Sequence, residues 1–127
     1  MDLQSLSSLS AFQFWEKGEK ISEGSNIIAI FPGEKFYTAE DKMIVVGAHW
    51  DTTGFTDGYN DNGSGLASML EVARALVESG CHLKYSVIFV AFDQEEVGAQ
   101  GSHEFVRSFL IPRFFLTDHP PEFQGKS

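Results

Sequence analysis

The sequence predicts an α/β fold in which a partial layered sheet is flanked by helices. Three apolar runs, residues 26–31, 43–50 and 85–93, have the length and the β-branched content of strands. Two segments, 65–79 and 101–110, instead place their apolar residues at helical spacing. The resulting order of strand, strand, helix, strand, helix is typical of a layered α/β fold with a mostly buried sheet.

The three predicted strands are apolar at most positions. The first, "NIIAIF", ends at the turn signal Pro32-Gly33, and a polar stretch connects it to the second as a hairpin or short loop. The second, "MIVVGAHW", is apolar nearly throughout, which predicts a strand buried on both faces. The third, "YSVIFVAFD", is apolar throughout its centre.

The first predicted helix has a clear C-terminus. Its apolar stripe consists of Leu66, Met69, Leu70, Ala73 and Val77. Gly80 follows at the position where a helix C-terminus favours glycine. The second helix is expected to stop before Pro112. The two ends of the chain show weaker patterns: residues 1–24 predict an N-terminal arm or a weak helix, and residues 112–127 a disordered tail.

The composition argues against several classes of function. A net charge of −9 argues against a nucleic-acid partner, because proteins that bind phosphate backbones carry basic surfaces. The sequence shows neither a signal peptide nor an apolar stretch of about 18 residues, so we expect no membrane segment, and the localisation stays open. The single cysteine, Cys81, rules out an internal disulfide.

Polar side chains gather where the predicted strands end. His49 and Asp51 follow the second strand, and Glu95 and Glu96 follow the third. Asp61 lies in the turn that opens the first helix. In open α/β sheets ligands bind beyond the carboxyl ends of the strands, so we expect these side chains to converge. A solvated acidic rim explains each residue singly but not the whole set.

The local patterns around these residues suit a metal site. A ligating histidine needs its second ring nitrogen fixed by a carboxylate or a carbonyl, which His49-x-Asp51 can provide. In Glu95-Glu96, adjacent side chains point in different directions, so one can bind a metal while the other handles a proton. The turn that holds Asp61, "YNDNGSG", has a simpler alternative as a loop with a helix cap, because Asn, Asp and Gly dominate turns.

Three segments together resemble one family. "IVVGAHWDT", "NDNGSGLASMLEVARAL" and "VIFVAFDQEEVGAQGS" resemble the core of the two-zinc aminopeptidases of peptidase family M28, in register from about residue 26 to residue 109. The resemblance implies a zinc-exopeptidase-like (phosphorylase/hydrolase-like) fold, with a partial M28 peptidase domain at residues 25–111. It also implies zinc-dependent hydrolysis of peptide substrates, of the aminopeptidase type.

The resemblance also implies a role for each candidate residue. His49 and Glu96 each correspond to a ligand of one zinc ion, and Asp61 to the ligand that bridges the two ions and precedes a cis peptide bond. Glu95 corresponds to the general base. Asp51 corresponds to the residue of the catalytic site that steadies His49.

The family's two further ligands, an aspartate and a histidine, have no counterpart in this sequence. The resemblance therefore implies an incomplete ligand set, and we expect a shortened form with impaired activity. Asp118 and His119 are not expected to replace them, because they are adjacent and lie in a proline-rich stretch. We also expect self-association, because an apolar strand edge without a partner favours it.

Two alternative functions stay open. Some proteins with this fold have lost their ligands, so the chain can instead be a non-catalytic binding or interaction protein. The related glutaminyl cyclases use one zinc ion, although their turn usually carries Asp-Ser-Ala where this chain has "DNGSG".

Overall fold

Residues 7–115 are described by the structure, a computed structural model, and they contain one four-stranded sheet. The strands are β1 (Ser7–Glu16), β2 (Glu19–Phe31), β3 (Ile44–His49) and β4 (Val87–Phe92), in the spatial order β1-β2-β4-β3. β2 is antiparallel to both β1 and β4, whereas β3 and β4 are parallel. The predicted α/β class is confirmed.

Helices connect and cover these strands. α1 (Gly65–Ser79) lies between β3 and β4 in the chain and begins after a wide turn, Tyr59–Ser64. The helical segment after β4 consists of α2 (Gln100–Glu104), a π-helical turn (Phe105–Leu110) and α3 (Ile111–Phe114). α1 occupies the predicted residues, and Gly80 ends it in the left-handed conformation with a φ of 65°.

β4 is one of two central strands, and it is covered on both faces. One face of the sheet packs against the last helical segment through a cluster of Ile28, Ile30, Ile88, Val90, Phe105 and Phe109. The opposite face packs against α1 through Ala48, Met69, Val87, Phe89 and Ala91. β4 contributes alternate residues to both clusters, which explains why its sequence is apolar throughout.

The prediction that β3 is buried on both faces was wrong. Ile44 and Val45 are 55% and 41% exposed, because within residues 7–115 β3 is an edge strand that pairs only with β4. The polar stretch before β3 is a loop and not a hairpin, since β4 lies between β2 and β3 in the sheet. An apolar edge without charge or proline is a site where another strand can pair.

The prediction of an arm or weak helix for residues 1–24 was also wrong over its described part. Residues 7–16 form β1 and residues 19–24 form the first half of β2, and the two strands pair along their length. Lys17 and Gly18 join the strands with φ angles of 50° and 81°, as in the two-residue turns that match strand twist. The local signal for this turn was Gly18, which lies between the charged residues Lys17 and Glu19. The strand itself was missed because β1 is rich in serine, which is not typical of strands.

The last helix does not stop before Pro112, so that prediction was wrong. Proline cannot donate a backbone hydrogen bond to the carbonyl four residues earlier. Here the guanidinium of Arg113 donates to that carbonyl, the one of Ser108, at 3.2 Å. The disordered tail predicted for 112–127 is therefore helical at its start, and residues 116–127 lie outside the described part.

The burial contrast between two isoleucines provides a test of this core. Ile88 on β4 is fully buried, whereas Ile44 on β3 is 55% exposed. We expect Ile88→Ala to lower the free energy of unfolding by about 2–5 kcal/mol, because it removes buried contacts and leaves a cavity. Ile44→Ala should cost about 1 kcal/mol or less, the range of strand propensities. Urea unfolding of both variants measures the difference, and equal losses would contradict this core.

Candidate metal centre

The parallel pairing of β3 and β4 brings their carboxyl ends to one edge of the sheet. His49, the last residue of β3, is in register with Phe92, the last residue of β4. The segments that follow both strands therefore leave the sheet side by side. The turn before α1 approaches the same edge and places Asp61 against His49.

The distances show that the predicted residues converge. Nε2 of His49 lies 3.1 Å from Oδ1 of Asp61 and 3.7 Å from Oε2 of Glu95. One ligand atom each of His49, Glu95 and Glu96 lies within 4.8 Å of the other two. A cavity of about 380 Å³ adjoins the cluster, and its lining includes His49, Asn62 and Glu95.

Asp51 orients both halves of this cluster. Nδ1 of His49 lies 3.0 Å from the backbone carbonyl oxygen of Asp51 and 3.3 Å from its carboxylate. The carboxylate also accepts the backbone N–H groups of Glu95 and Glu96, each at 3.1 Å. Because a carbonyl oxygen only accepts, Nδ1 of His49 carries a proton and Nε2 faces the carboxylates.

In the turn before α1, two neighbouring residues have different contacts: Asn62 caps the helix, and Asp61 faces the candidate metal site. The side-chain oxygen of Asn62 accepts the backbone N–H of Gly65 at the start of α1, at 3.2 Å. The hydroxyl of Thr52 donates to the backbone carbonyl of Asp61 at 3.2 Å, and the Asp61–Asn62 peptide bond is cis. The loop interpretation therefore holds for Asn62, whereas the carboxylate of Asp61 faces His49. No motif indicated the contact of Thr52, because its partner is a backbone carbonyl and not a side chain.

The electrostatics of the cluster favour a bound cation. Burial raises the pKa of Glu96, and the nearby carboxylates of Asp61 and Glu95 raise it further. Burial alone would lower the pKa of His49, but the carbonyl of Asp51 and the charges of Glu95 and Asp51 outweigh it and raise the pKa. Both groups thus hold protons more tightly than usual, Glu96 chiefly through burial and His49 chiefly through the carbonyl of Asp51, and neighbouring carboxylates add to the effect in both cases.

The residues present fit a zinc ion. Imidazole nitrogen and carboxylate oxygen are zinc ligands, and two ligands of a tetrahedral zinc lie roughly 3.3 Å apart. The 3.1 Å separation of His49 Nε2 and Asp61 Oδ1 is close to that value. A neutral imidazole nitrogen and a carboxylate oxygen both offer lone pairs, so a proton or a cation must lie between them.

A histidine–carboxylate cluster at the carboxyl ends of parallel strands is suited to hold a catalytic zinc ion. The chain belongs to peptidase family M28, whose sequence model matches residues 26–116. This match confirms the resemblance found from the three motifs and with it the membership of a zinc-dependent family of hydrolases.

Three relatives illustrate this membership. The chain is 44% identical over 66 residues to Aminopeptidase YwaD of Bacillus subtilis, covering 50% of this chain and 14% of the relative. It is 31% identical over 99 residues to the probable glutamate carboxypeptidase VP8 of Zea mays, covering 76% and 13%. The crystal structure of BSAP, a zinc aminopeptidase from Bacillus subtilis, matches with a TM-score of 0.62 and 36% identity, covering 70% and 21%. The chain thus spans about a seventh of the length of the two curated relatives.

Over residues 7–115, no helix has both the length and the apolar character needed to cross a bilayer.

The raised pKa values of His49 and Glu96 predict opposite pH trends with and without zinc. Without zinc, the folded state binds more protons than the unfolded state, so stability falls as pH rises above 4.5 through the titration of Glu96 and above 6.5 through that of His49. With zinc, ligands must lose their protons, so the zinc-induced gain in stability increases over the same pH range. Urea unfolding with EDTA or with zinc measures both trends. His49→Gln should flatten both, and a variant with unchanged slopes would contradict the assignment.

Proposed function

We propose that this chain provides zinc ligands and a general base for removing terminal residues from peptides. His49, Asp61 and Glu96 hold zinc, Glu95 is the base, and Asp51 is the positioning residue. If two ions bind, Asp61 would be the ligand that they share, because it contacts His49 and its charge also acts on Glu96. The observation that carries the proposal is the convergence of one imidazole and three carboxylates from three separate segments at one edge of the sheet.

The chemistry divides between the metal and the chain. Bound zinc polarises a peptide carbonyl and makes water a stronger nucleophile near neutral pH. Glu95, whose side chain is 47% exposed, is free to accept the proton of the attacking water. The same carboxyl group can then deliver the proton to the nitrogen of the departing amine as the C–N bond breaks. Asp51 keeps Glu95 in place because its carboxylate accepts the backbone N–H of Glu95.

The relatives bear on which end of a substrate is cleaved. Bound zinc would offset the charges of Asp61 and Glu95, so these carboxylates do not select between the amino and the carboxyl end of a peptide. Aminopeptidase YwaD is named for removal of amino-terminal residues, whereas the maize relative is named as a probable glutamate carboxypeptidase. By similarity to the former, which is 44% identical, we propose aminopeptidase rather than carboxypeptidase specificity.

Zinc binding is the first test of this function. Among residues 7–115, each of two ions would have two protein ligands, whereas catalytic zinc usually has three. We therefore expect roughly micromolar affinity by calorimetry. A chain that binds no zinc would contradict the proposal.

Hydrolysis is the second test. An aminoacyl fluorogenic substrate, its N-blocked form and a peptide with N-terminal glutamine should be incubated with the zinc-loaded chain. We expect slow hydrolysis of the first substrate alone, because the ligand set is incomplete, and EDTA should abolish it. Zinc binding without any turnover would support the non-catalytic alternative, and cyclisation of the glutaminyl peptide would support a glutaminyl cyclase.

A further inference from the structure

The carboxyl end of β4 carries a buried carboxylate for which the proposed chemistry has no role. Asp93 directly follows β4 and is 7% exposed. Its Oδ2 accepts the backbone N–H of Ser25 in β2, and its Oδ1 accepts that of Gln94, both at 2.9 Å. Its own backbone N–H donates to the side chain of the fully buried Asn26 at 3.0 Å. Asp93 therefore ties the loop after β4 to the neighbouring strand.

The contact with β2 is close. A Cβ atom on Gly24 would lie 2.6 Å from Oδ2 of Asp93, so a larger residue at that position would displace the carboxylate. Glycine at position 24 thus leaves room for Asp93 beside the strand.

The residue that Asp93 holds has an unusual backbone conformation. Gln94 has a φ of 58°, in the left-handed region that residues other than Gly, Asn and Asp rarely adopt. Its carbonyl accepts the backbone N–H of Gln100 at 3.0 Å, which closes the loop. The conformation of Gln94 sets the direction in which the chain leaves β4, and Glu95 and Glu96 are the next two residues.

Three successive backbone N–H groups are therefore bound to carboxylates. Asp93 binds the N–H group of Gln94, and Asp51 binds those of Glu95 and Glu96. One carboxylate acts from the β4 side and the other from the β3 side. Because the backbone of both glutamates is fixed in this way, their side chains leave it in defined directions.

We propose that Asp93 is a positioning residue that, by holding Gln94 in its left-handed turn, aims Glu95 and Glu96 at the metal centre. The inference rests on the proposed function, since it assigns Asp93 to the geometry of that site. With zinc bound, Glu96 would meet the ion and Glu95 the attacking water, at positions set by this turn. Loss of the turn displaces both groups without removing either of them.

Asp93→Asn is the direct test, because asparagine has one acceptor oxygen and cannot serve both N–H groups. We expect the zinc Kd to rise about 10- to 100-fold, the usual effect of removing a partner outside the ligand shell. Hydrogen exchange of the amides of residues 94–96 should accelerate without zinc, which gives a readout independent of the metal.

Asp41→Asn is the matched control. Asp41 also accepts a backbone N–H through its carboxylate, that of Ser86 at 2.9 Å, just before β4 begins and at the opposite end of that strand from the site. If Asp93 only stabilised the fold, Asp93→Asn and Asp41→Asn would have the same effects on stability and on the zinc Kd. We expect Asp41→Asn to lower stability and to leave the zinc Kd unchanged.

The double variant Asp93→Asn/Gln94→Gly tests the mechanism. Glycine adopts positive φ without steric cost, so it should restore the turn and most of the lost zinc affinity. Unchanged zinc affinity and unchanged amide exchange in Asp93→Asn would overturn the inference while leaving the proposed function intact. Failure of glycine to recover affinity would also overturn it. If the unaltered chain binds no zinc, both the proposed function and this inference fail.

Discussion

Glu95→Gln should lower the hydrolysis of an aminoacyl substrate by about 100- to 10,000-fold, the usual contribution of a general base. Glutamine keeps the size of the side chain and the backbone N–H that Asp51 accepts, but it cannot take a proton. Zinc affinity should change little, because Glu95 is assigned as base and not as ligand. Initial rates with saturating zinc, together with calorimetry, measure the two effects separately.

The control for this variant is Glu34→Gln. Glu34 is exposed and lies just after β2, at the opposite end of the sheet from the metal centre. Glu34→Gln removes the same charge as Glu95→Gln but far from the metal centre. The activity of Glu34→Gln should therefore equal that of the unaltered chain. The distances alone also place Glu95 with His49 and Glu96 as a ligand group. A large loss of zinc affinity in Glu95→Gln would show that Glu95 is a ligand and would contradict its role as base.

Asp61→Asn should reduce zinc affinity by more than about 100-fold. Even partners outside the ligand shell cost roughly 10- to 100-fold, and a ligand shared by two ions contributes to both sites. The carboxylate of Asp61 faces Nε2 of His49, so its neutral analogue also removes attraction for the cation. Calorimetry and competition with a chromophoric chelator measure the Kd.

Asp57→Asn separates this effect from a general loss of charge. Asp57 is exposed and belongs to the same loop, so both variants change the net charge of the loop equally. Its zinc Kd should stay close to that of the unaltered chain. Equal losses in the two variants would mean that Asp61 attracts zinc only through long-range charge.

The parts of the fold that the sequence predicted correctly depend on local signals. α1 has a continuous apolar stripe and ends at Gly80, so its bounds follow from residues within the segment itself. β4 is apolar at successive positions because helices cover both of its faces. The residues of the candidate site were found for a similar reason, since each comes shortly after a predicted strand or just before a helix.

The parts that the sequence missed depend on contacts between distant residues. β1 is a strand because it pairs with β2, although its serines give it little intrinsic preference. The exposure of Ile44 follows from the position of β3 in the sheet, which periodicity cannot reveal. The contacts of Asp93 with Ser25 and Asn26 likewise join β4 to β2 across 68 and 67 residues, respectively.

Anomalous diffraction at the zinc absorption edge, from crystals grown with zinc, would show whether this edge of the sheet holds the metal. We expect a zinc peak about 2.0–2.2 Å from Nε2 of His49, with a carboxylate oxygen of Asp61 at a similar distance. A second peak beside Glu96 would support two ions. A peak only at Cys81 and His82, at the opposite end of α1, or no peak within reach of His49, would contradict the assignment of this edge of the sheet as a metal centre.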